Sequence, residues 1–163
     1  MFIQIMKLVL KKFVQEDSEL FNGKTIKEEC INHRIALYIQ EVVLEFNGVD
    51  TEIRNLKSQI KSGDVKIDVE YDKARDQEKL ISNVPSRPDI LIHKRGNNSN
   101  NYAFIELKKG YKNKGDKRKC QGAKNLPYNY KYALILDNIS RPLSKMRIIE
   151  VTPIGDELIN RIP

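Results

Sequence analysis

Cysteine is scarce in this chain: two in 163 residues, Cys30 and Cys120. They stand far apart and in no His-rich setting, so no zinc-site spacing is present and both read as ordinary thiols. Eight Gly and six Pro exclude collagen-like and Pro/Gly low-complexity classes. No apolar run reaches the roughly 18 residues needed to span a bilayer, so no membrane partner is expected. Residues 1–10 have an apolar flavour, but Lys7, Lys11 and Lys12 interrupt it and no small-residue cleavage site follows. That is a poor signal peptide, and a cytoplasmic location is the expectation. What is present is 40% hydrophobic and 31% charged content, too apolar for a chain disordered throughout and long enough for one sizeable core. A single domain over 1–163 is expected, with an accessory helix over 1–22 and a core over 24–153.

Acidic residues are outnumbered. Twenty-nine Lys and Arg against 22 Asp and Glu leave a formal charge of +7, which favours a polyanionic partner. The excess is local: Lys108, Lys109, Lys112, Lys114, Lys117, Arg118, Lys119 and Lys124 crowd one segment in which Asp116 is the lone acid. Such a run is either a solvated face or a phosphate-binding patch.

Hydrophobic periodicity divides the chain. Leu8, Leu10, Phe13, Val14 and Leu20 recur at helical spacings and predict a first helix ending near Asn22-Gly23. Thr25, with Glu28 three residues on, has the spacing of a capping box for a second helix whose stripe runs from Ile31 to Phe46. Residues 49–63 are polar and weakly helical, and their state stays open. After Gly63 the period becomes two: Val65, Ile67, Val69 and Tyr71 alternate with Lys66, Asp68, Glu70 and Asp72, as in a half-buried strand. A polar loop over 72–87 follows. Strands over 89–95 and 102–109, joined by the Gly-Asn-rich turn, form a hairpin. A helix over 116–125, a buried strand over 130–136 and a last strand over 146–151 complete an α/β or α+β arrangement of helices on a mixed sheet.

Chemistry concentrates on that hairpin. Glu106 and Lys108 are two apart on a strand and share a face. If Arg95 pairs with Tyr102, Asp89 falls opposite Lys108 and diagonal to Glu106, whereas a one-residue slip would send it to the other face. Two carboxylates offer hard oxygen ligands to Mg²⁺, which can activate water and neutralise charge on a phosphate. A lysine beside them adds a fixed positive charge. Alone, a Glu-x-Lys triplet is most often a surface pair.

The combination Arg87-Pro88-Asp89-Ile90-Leu91-Ile92-His93, then Phe104-Ile105-Glu106-Leu107-Lys108-Lys109, resembles the PD-(D/E)xK nuclease superfamily with its restriction-endonuclease-like fold, among its small single-domain members. The likeness extends over about 28–137. It implies an α/β core, a mixed sheet flanked by helices, and Mg²⁺- or Mn²⁺-dependent hydrolysis of phosphodiester bonds. Asp89 and Glu106 would be metal ligands and Lys108 would lie near the reacting phosphate. Glu28 matches the helix acid that completes such sites, with Glu29 and Glu41 as competitors and helix capping as the rival role. Asp116 and Lys119 match an Asp-x-x-Lys pattern of the following helix, although Cys120 replaces the aliphatic residue expected next. Lys112, Lys114, Lys117, Arg118, Lys119 and Lys124 are the expected phosphate contacts. The implied partner is nucleic acid, DNA ahead of RNA, and a homodimer is left open. The alternative is a catalytically inactive module that retains the fold and binds nucleic acid or protein. For His33, His93, Asp68 and the tyrosines 111, 128, 130 and 132, structural roles are expected ahead of functional ones, with Asp68 facing solvent.

Overall fold

The computed structural model of the chain describes residues 1–17, 27–70, 87–139 and 142–162, and the backbone of four two-residue strands between 73 and 85. Helix α1 (Phe2–Glu16) turns Phe2, Ile5, Met6, Val9, Leu10 and Phe13 inward, the three- and four-residue spacing that builds one apolar stripe. These side chains are fully buried in the main core, so α1 is part of the core and not an appendage. Helix α2 (Glu28–Glu45) begins with Lys27 as its N-cap, without a side-chain cap bond. Glu28 is therefore the first helical residue and not the third, which removes the capping-box reading; Thr25 and Asn22-Gly23 lie outside the described residues, but α1 ends at Glu16 with Asp17 as its C-cap, short of the predicted stop.

The polar stretch after α2 is a helix, α3 (Thr51–Ser62), with Ile53 and Leu56 buried. Local signals hold it at both ends. Asp50 accepts a hydrogen bond from Ile53 N at 3.0 Å, and Gly63 takes the left-handed C-cap at φ +81°.

Six strands then form one sheet: β1 (Lys66–Val69), β2 (Ile90–His93), β3 (Asn101–Leu107), β4 (Tyr132–Asp137), β5 (Arg147–Val151) and β6 (Glu157–Arg161). Their spatial order follows the chain order. All neighbours are antiparallel except β3 and β4, whose parallel pairing needs the crossover supplied by helix α4 (Lys114–Lys124). The residues between β1 and β2 include two small antiparallel ladders, Lys73–Ala74 with Gln77–Glu78 and Leu80–Ile81 with Val84–Pro85, where the sequence predicts a loop. β6, which no periodicity predicts, extends the sheet past the expected end of the core at 153.

Helices cover both faces. α1, α2 and α3 pack with Ile90, Ile92, Ile105, Leu107, Leu134 and Ile148 into one core, while Leu91, Phe104, Ile135 and Ile149 face Cys120 and Ala123 of α4. Both faces of β2 and β3 are thus covered, and every residue of the two strands is buried. The molecule is thus an α/β fold with a mixed open sheet, and no described helix is long and apolar enough to cross a membrane.

Candidate active site

The hairpin register decides which groups meet. β2 pairs Ile90 with Ile105, Leu91 with Phe104 and Ile92 with Ala103, and a bulge after Ile92 brings His93 opposite Asn101. Continuing the ladder by one residue sets Asp89 opposite Glu106, not opposite Lys108. The difference from the expected register is two residues, so Asp89 and Glu106 keep a common face. Leu107 N–H closes the gap by donating to Asp89 Oδ2 at 2.6 Å.

Glu106 is 1% exposed. Burial and the nearby Asp89 charge push its carboxyl up to about 7, against the opposing pull of the Lys119 and Lys108 ammonium groups. Lys119 Nζ donates to Glu106 Oε2 at 3.0 Å, while Oε1 is buried with no hydrogen-bond partner among the described residues. Such an oxygen in a folded core asks for an explanation. Asp89 is likewise raised, by burial above all, with the Leu107 N–H and the Lys108 charge acting against it.

Lys108 leaves the end of β3 with its backbone tied to β4 through Leu136 O at 2.8 Å. Its Nζ lies 3.5 Å from Asp116 Oδ1, 3.7 Å from Glu28 Oε1 and 4.0 Å from Glu106 Oε2. Burial works against its charge, but Asp116, Asp89, Glu106 and Glu28 together hold its pKa above the ordinary lysine value. It is an ammonium in this setting, not a general base.

Two helix N-termini close the arrangement. Asp116 forms a capping box with Asn113 at the start of α4: Asn113 Oδ1 accepts from Asp116 N at 3.1 Å, and Asp116 Oδ2 accepts from Asn113 N at 2.8 Å. That fixes the first turn of α4 and with it the reach of Lys119. Glu28 opens α2, and Asn32, one turn later, donates from Nδ2 to Asp89 Oδ1 at 3.0 Å. A cleft of about 220 Å³ runs between Glu28, Glu29, Asn32, Glu70, Arg87 and Asp89. At its edge Glu70 holds a positive φ of +52°, and its carboxylate pairs with Arg87.

The structure therefore brings together Asp89, Glu106, Lys108, Glu28 and Lys119 of the expected set, and adds Asn32. Glu29 is exposed at the cleft rim, whereas Glu41 is 3.4 Å from Lys12 of α1. Lys119, expected on a phosphate, instead reaches Glu106. Of the other expected phosphate contacts, Lys112 and Lys117 lie 2.6 and 3.4 Å from Glu157, and Lys124 Nζ donates to the Lys131 carbonyl at 2.5 Å. Lys114 and Arg118 are exposed, one turn apart on α4. His33 is exposed. His93 Nε2 lies 3.0 Å from Asp68 Oδ2, and Arg95 pairs with the same carboxylate, so Asp68 is buried and engaged, contrary to the expected solvent-facing position. Tyr130 is buried against Phe104 and Tyr132 donates to Glu52 Oε1 at 2.8 Å. Asn32 carries no sequence signal beyond its place one turn from Glu28.

Two carboxylates, one with a buried unpartnered oxygen, are donors of the type that Mg²⁺ or Mn²⁺ takes, since Mg²⁺ commonly binds through one or two carboxylates and keeps several waters. Among the described residues no group of three or more His, Cys, Asp and Glu gathers into a fuller metal cage. Compared with protein-family models, with curated proteins and with solved structures, the chain matches none of them at a significant level.

Proposed function

We propose that the protein is a metal-dependent nuclease of restriction-endonuclease-like fold, hydrolysing phosphodiester bonds with Mg²⁺ or Mn²⁺ held by Asp89 and Glu106. The observation that carries this reading is the buried Glu106 Oε1, unpartnered among the described residues, beside a second carboxylate on the same face of a strand pair. A mixed sheet flanked by helices, with α4 following the strand that carries Glu106, also supports it. The bound metal would polarise the phosphate and lower the pKa of an attacking water.

The residues divide the remaining work. Asp89 is oriented by Leu107 N–H and by Asn32, which leaves lone pairs on its carboxylate for the cation. Glu106 is anchored through Oε2 to Lys119, so Oε1 is the oxygen available as ligand. Lys108, held as a cation by its acidic neighbours, would face the scissile phosphate and stabilise the charge that develops there. Glu28, at the start of α2 and 3.7 Å from Lys108 Nζ, lines the cleft and would complete the site. The substrate class, DNA ahead of RNA, rests on fold-level analogy. A basic α4 supports a polyanionic partner.

Cleavage assays on single-stranded, double-stranded and branched DNA test the reading. Asp89→Ala, Glu106→Ala and Lys108→Ala should each abolish Mg²⁺- or Mn²⁺-dependent cleavage while circular dichroism and melting show a retained fold. Activity equal to wild type in all three folded variants sinks the assignment. A wild-type protein that binds DNA but neither cleaves it nor takes up Mn²⁺ would make it an inactive binding module.

A further inference from the structure

Asn32 is a buried polar residue whose amide oxygen the proposed chemistry does not use. It sits on the inward face of α2, between Ile31 and Ile35 of the core, and is 2% exposed. A helix position of that kind is normally apolar, because a buried amide must find partners for both its ends. Nδ2 has one, Asp89 Oδ1 at 3.0 Å. Oδ1 has none among the described residues although it is shielded from solvent. The opposite amide orientation would aim Oδ1 at the Asp89 carboxylate, acceptor against acceptor, so the observed orientation is the one the hydrogen bonding selects.

A link between α2 and β2 accounts for Nδ2 and leaves Oδ1 unexplained. A second unpartnered buried oxygen, Glu106 Oε1, stands near the same Asp89 carboxylate. Asn32 and Asp89 line the same cleft, together with the carboxylate residues Glu28, Glu29 and Glu70. Neutral amide oxygens are hard acceptors, suited either to a hard cation or to the water on one.

We propose that Asn32 is a positioning residue of the metal site, orienting Asp89 through Nδ2 and accepting, through Oδ1, a hydrogen bond from a water on the cation. The proposal rests on the reading of Asp89 and Glu106 as metal ligands. Residues that hold ligands and bound waters in place affect metal affinity directly, and their loss typically costs about 10- to 100-fold.

Calorimetric titration of the full chain with Mn²⁺ alone, paired with melting curves, tests it. Wild type should bind, and Asp89→Asn should lose the binding. Asn32→Leu, nearly isosteric and without either polar atom, should weaken Mn²⁺ affinity by about 10- to 100-fold and shrink the Mn²⁺-induced rise in melting temperature. Asn32→Asp retains an oxygen at the cation side but loses the Nδ2 donor to Asp89, so it should recover only part of that affinity and melt lower without metal. If Asn32→Leu does not fold, Asn32→Ala carries the same expectation. Mn²⁺ binding that depends on Asp89 but is unchanged in the folded Asn32→Leu or Asn32→Ala variant overturns the role of Asn32 and leaves the metal site standing. Absence of Asp89-dependent binding in wild type overturns both.

Discussion

Glu106 shows how one side chain can belong to a candidate site and tax the fold at once. A carboxyl pushed up to about 7 by burial and by Asp89 keeps its proton in the folded chain at pH values where the unfolded chain has already lost it. Folding then takes up a proton between the ordinary value of 4.5 and about 7, so metal-free stability falls as pH rises through that window and levels off above it. The size of this contribution is roughly 3 kcal/mol. Glu106→Gln, always neutral, should flatten the decline between pH 5 and 7 in denaturant titrations without metal. An unchanged slope would mean that Glu106 is ionised throughout, compensated by Lys119. At this scale Asp89, Glu106 and Lys108 were legible in the sequence, because their types and spacing are local facts. Asn32 and Lys119 as partners of these carboxylates were not, since neither spacing nor composition says where a helix sets its buried polar atoms.

Among the elements, β1 and β2 are joined by more than their ladder. Asp68 is 8% exposed and accepts from Arg95 Nε at 2.8 Å while His93 Nε2 lies 3.0 Å away. Burial by itself would raise the Asp68 carboxyl, but Arg95 and His93 outweigh it and hold the group well below the usual carboxylate range. Its stabilising effect is complete above the ordinary carboxylate pKa and is lost as pH falls below it, since protonation then favours the unfolded chain. Asp68→Asn should destabilise by about 1–3 kcal/mol, a shift of several degrees in the melting curve. It should also remove part of the acid limb of the stability profile below pH 4. Equal melting of variant and wild type at pH 7 would show that the network contributes nothing. Period-two patterning predicts this strand, yet it assigns Asp68 to the solvent side because an acid among alternating polar residues usually lies there. It is engaged by His93, on the next strand past a bulge, and by Arg95, two residues beyond that strand.

The charge of the whole molecule is redistributed by folding. Eight basic residues crowd 108–124 in the sequence, but Lys108 and Lys119 turn to the carboxylates, Lys112 and Lys117 to Glu157, and Lys124 to a carbonyl. Lys114 and Arg118 are exposed at successive turns of α4, where they can meet a phosphate backbone without first breaking an ion pair with any of the described residues. Neutralising this pair as Lys114→Gln with Arg118→Gln should therefore reduce the slope of log affinity against log salt on duplex DNA by about 1.8, since each phosphate paired with a cation contributes about 0.9. Affinity should fall similarly across unrelated sequences, because phosphate contacts position a duplex without reading its bases. Neutralising Lys112 with Lys117 should have a smaller effect. A slope that stays at its wild-type value in the first variant would make α4 a solvated face.

Sequence by itself determined what depends on neighbours in the chain. The helical spacings of α1, the hydrophobic run of α2, the alternation after Gly63 and the shared face of Glu106 and Lys108 all follow from side-chain periods of 3.6 and 2, although the buried stripe of α1 runs through Phe2, Ile5, Met6 and Val9 and leaves Leu8 exposed. A mixed sheet covered by helices follows from the order of those segments. Tertiary structure decided what depends on distant pairing. It set the register that puts Asp89 beside Glu106, the bulge after Ile92 and the parallel partnership of β3 with β4. It also added β6, whose Leu158 and Ile159 are exposed at the sheet edge and so left no alternating signature. The hairpin ladder can slip by two residues without changing which face any side chain occupies. Periodicity could therefore name the face of the site, and only packing against β1, α2 and α4 could choose its members.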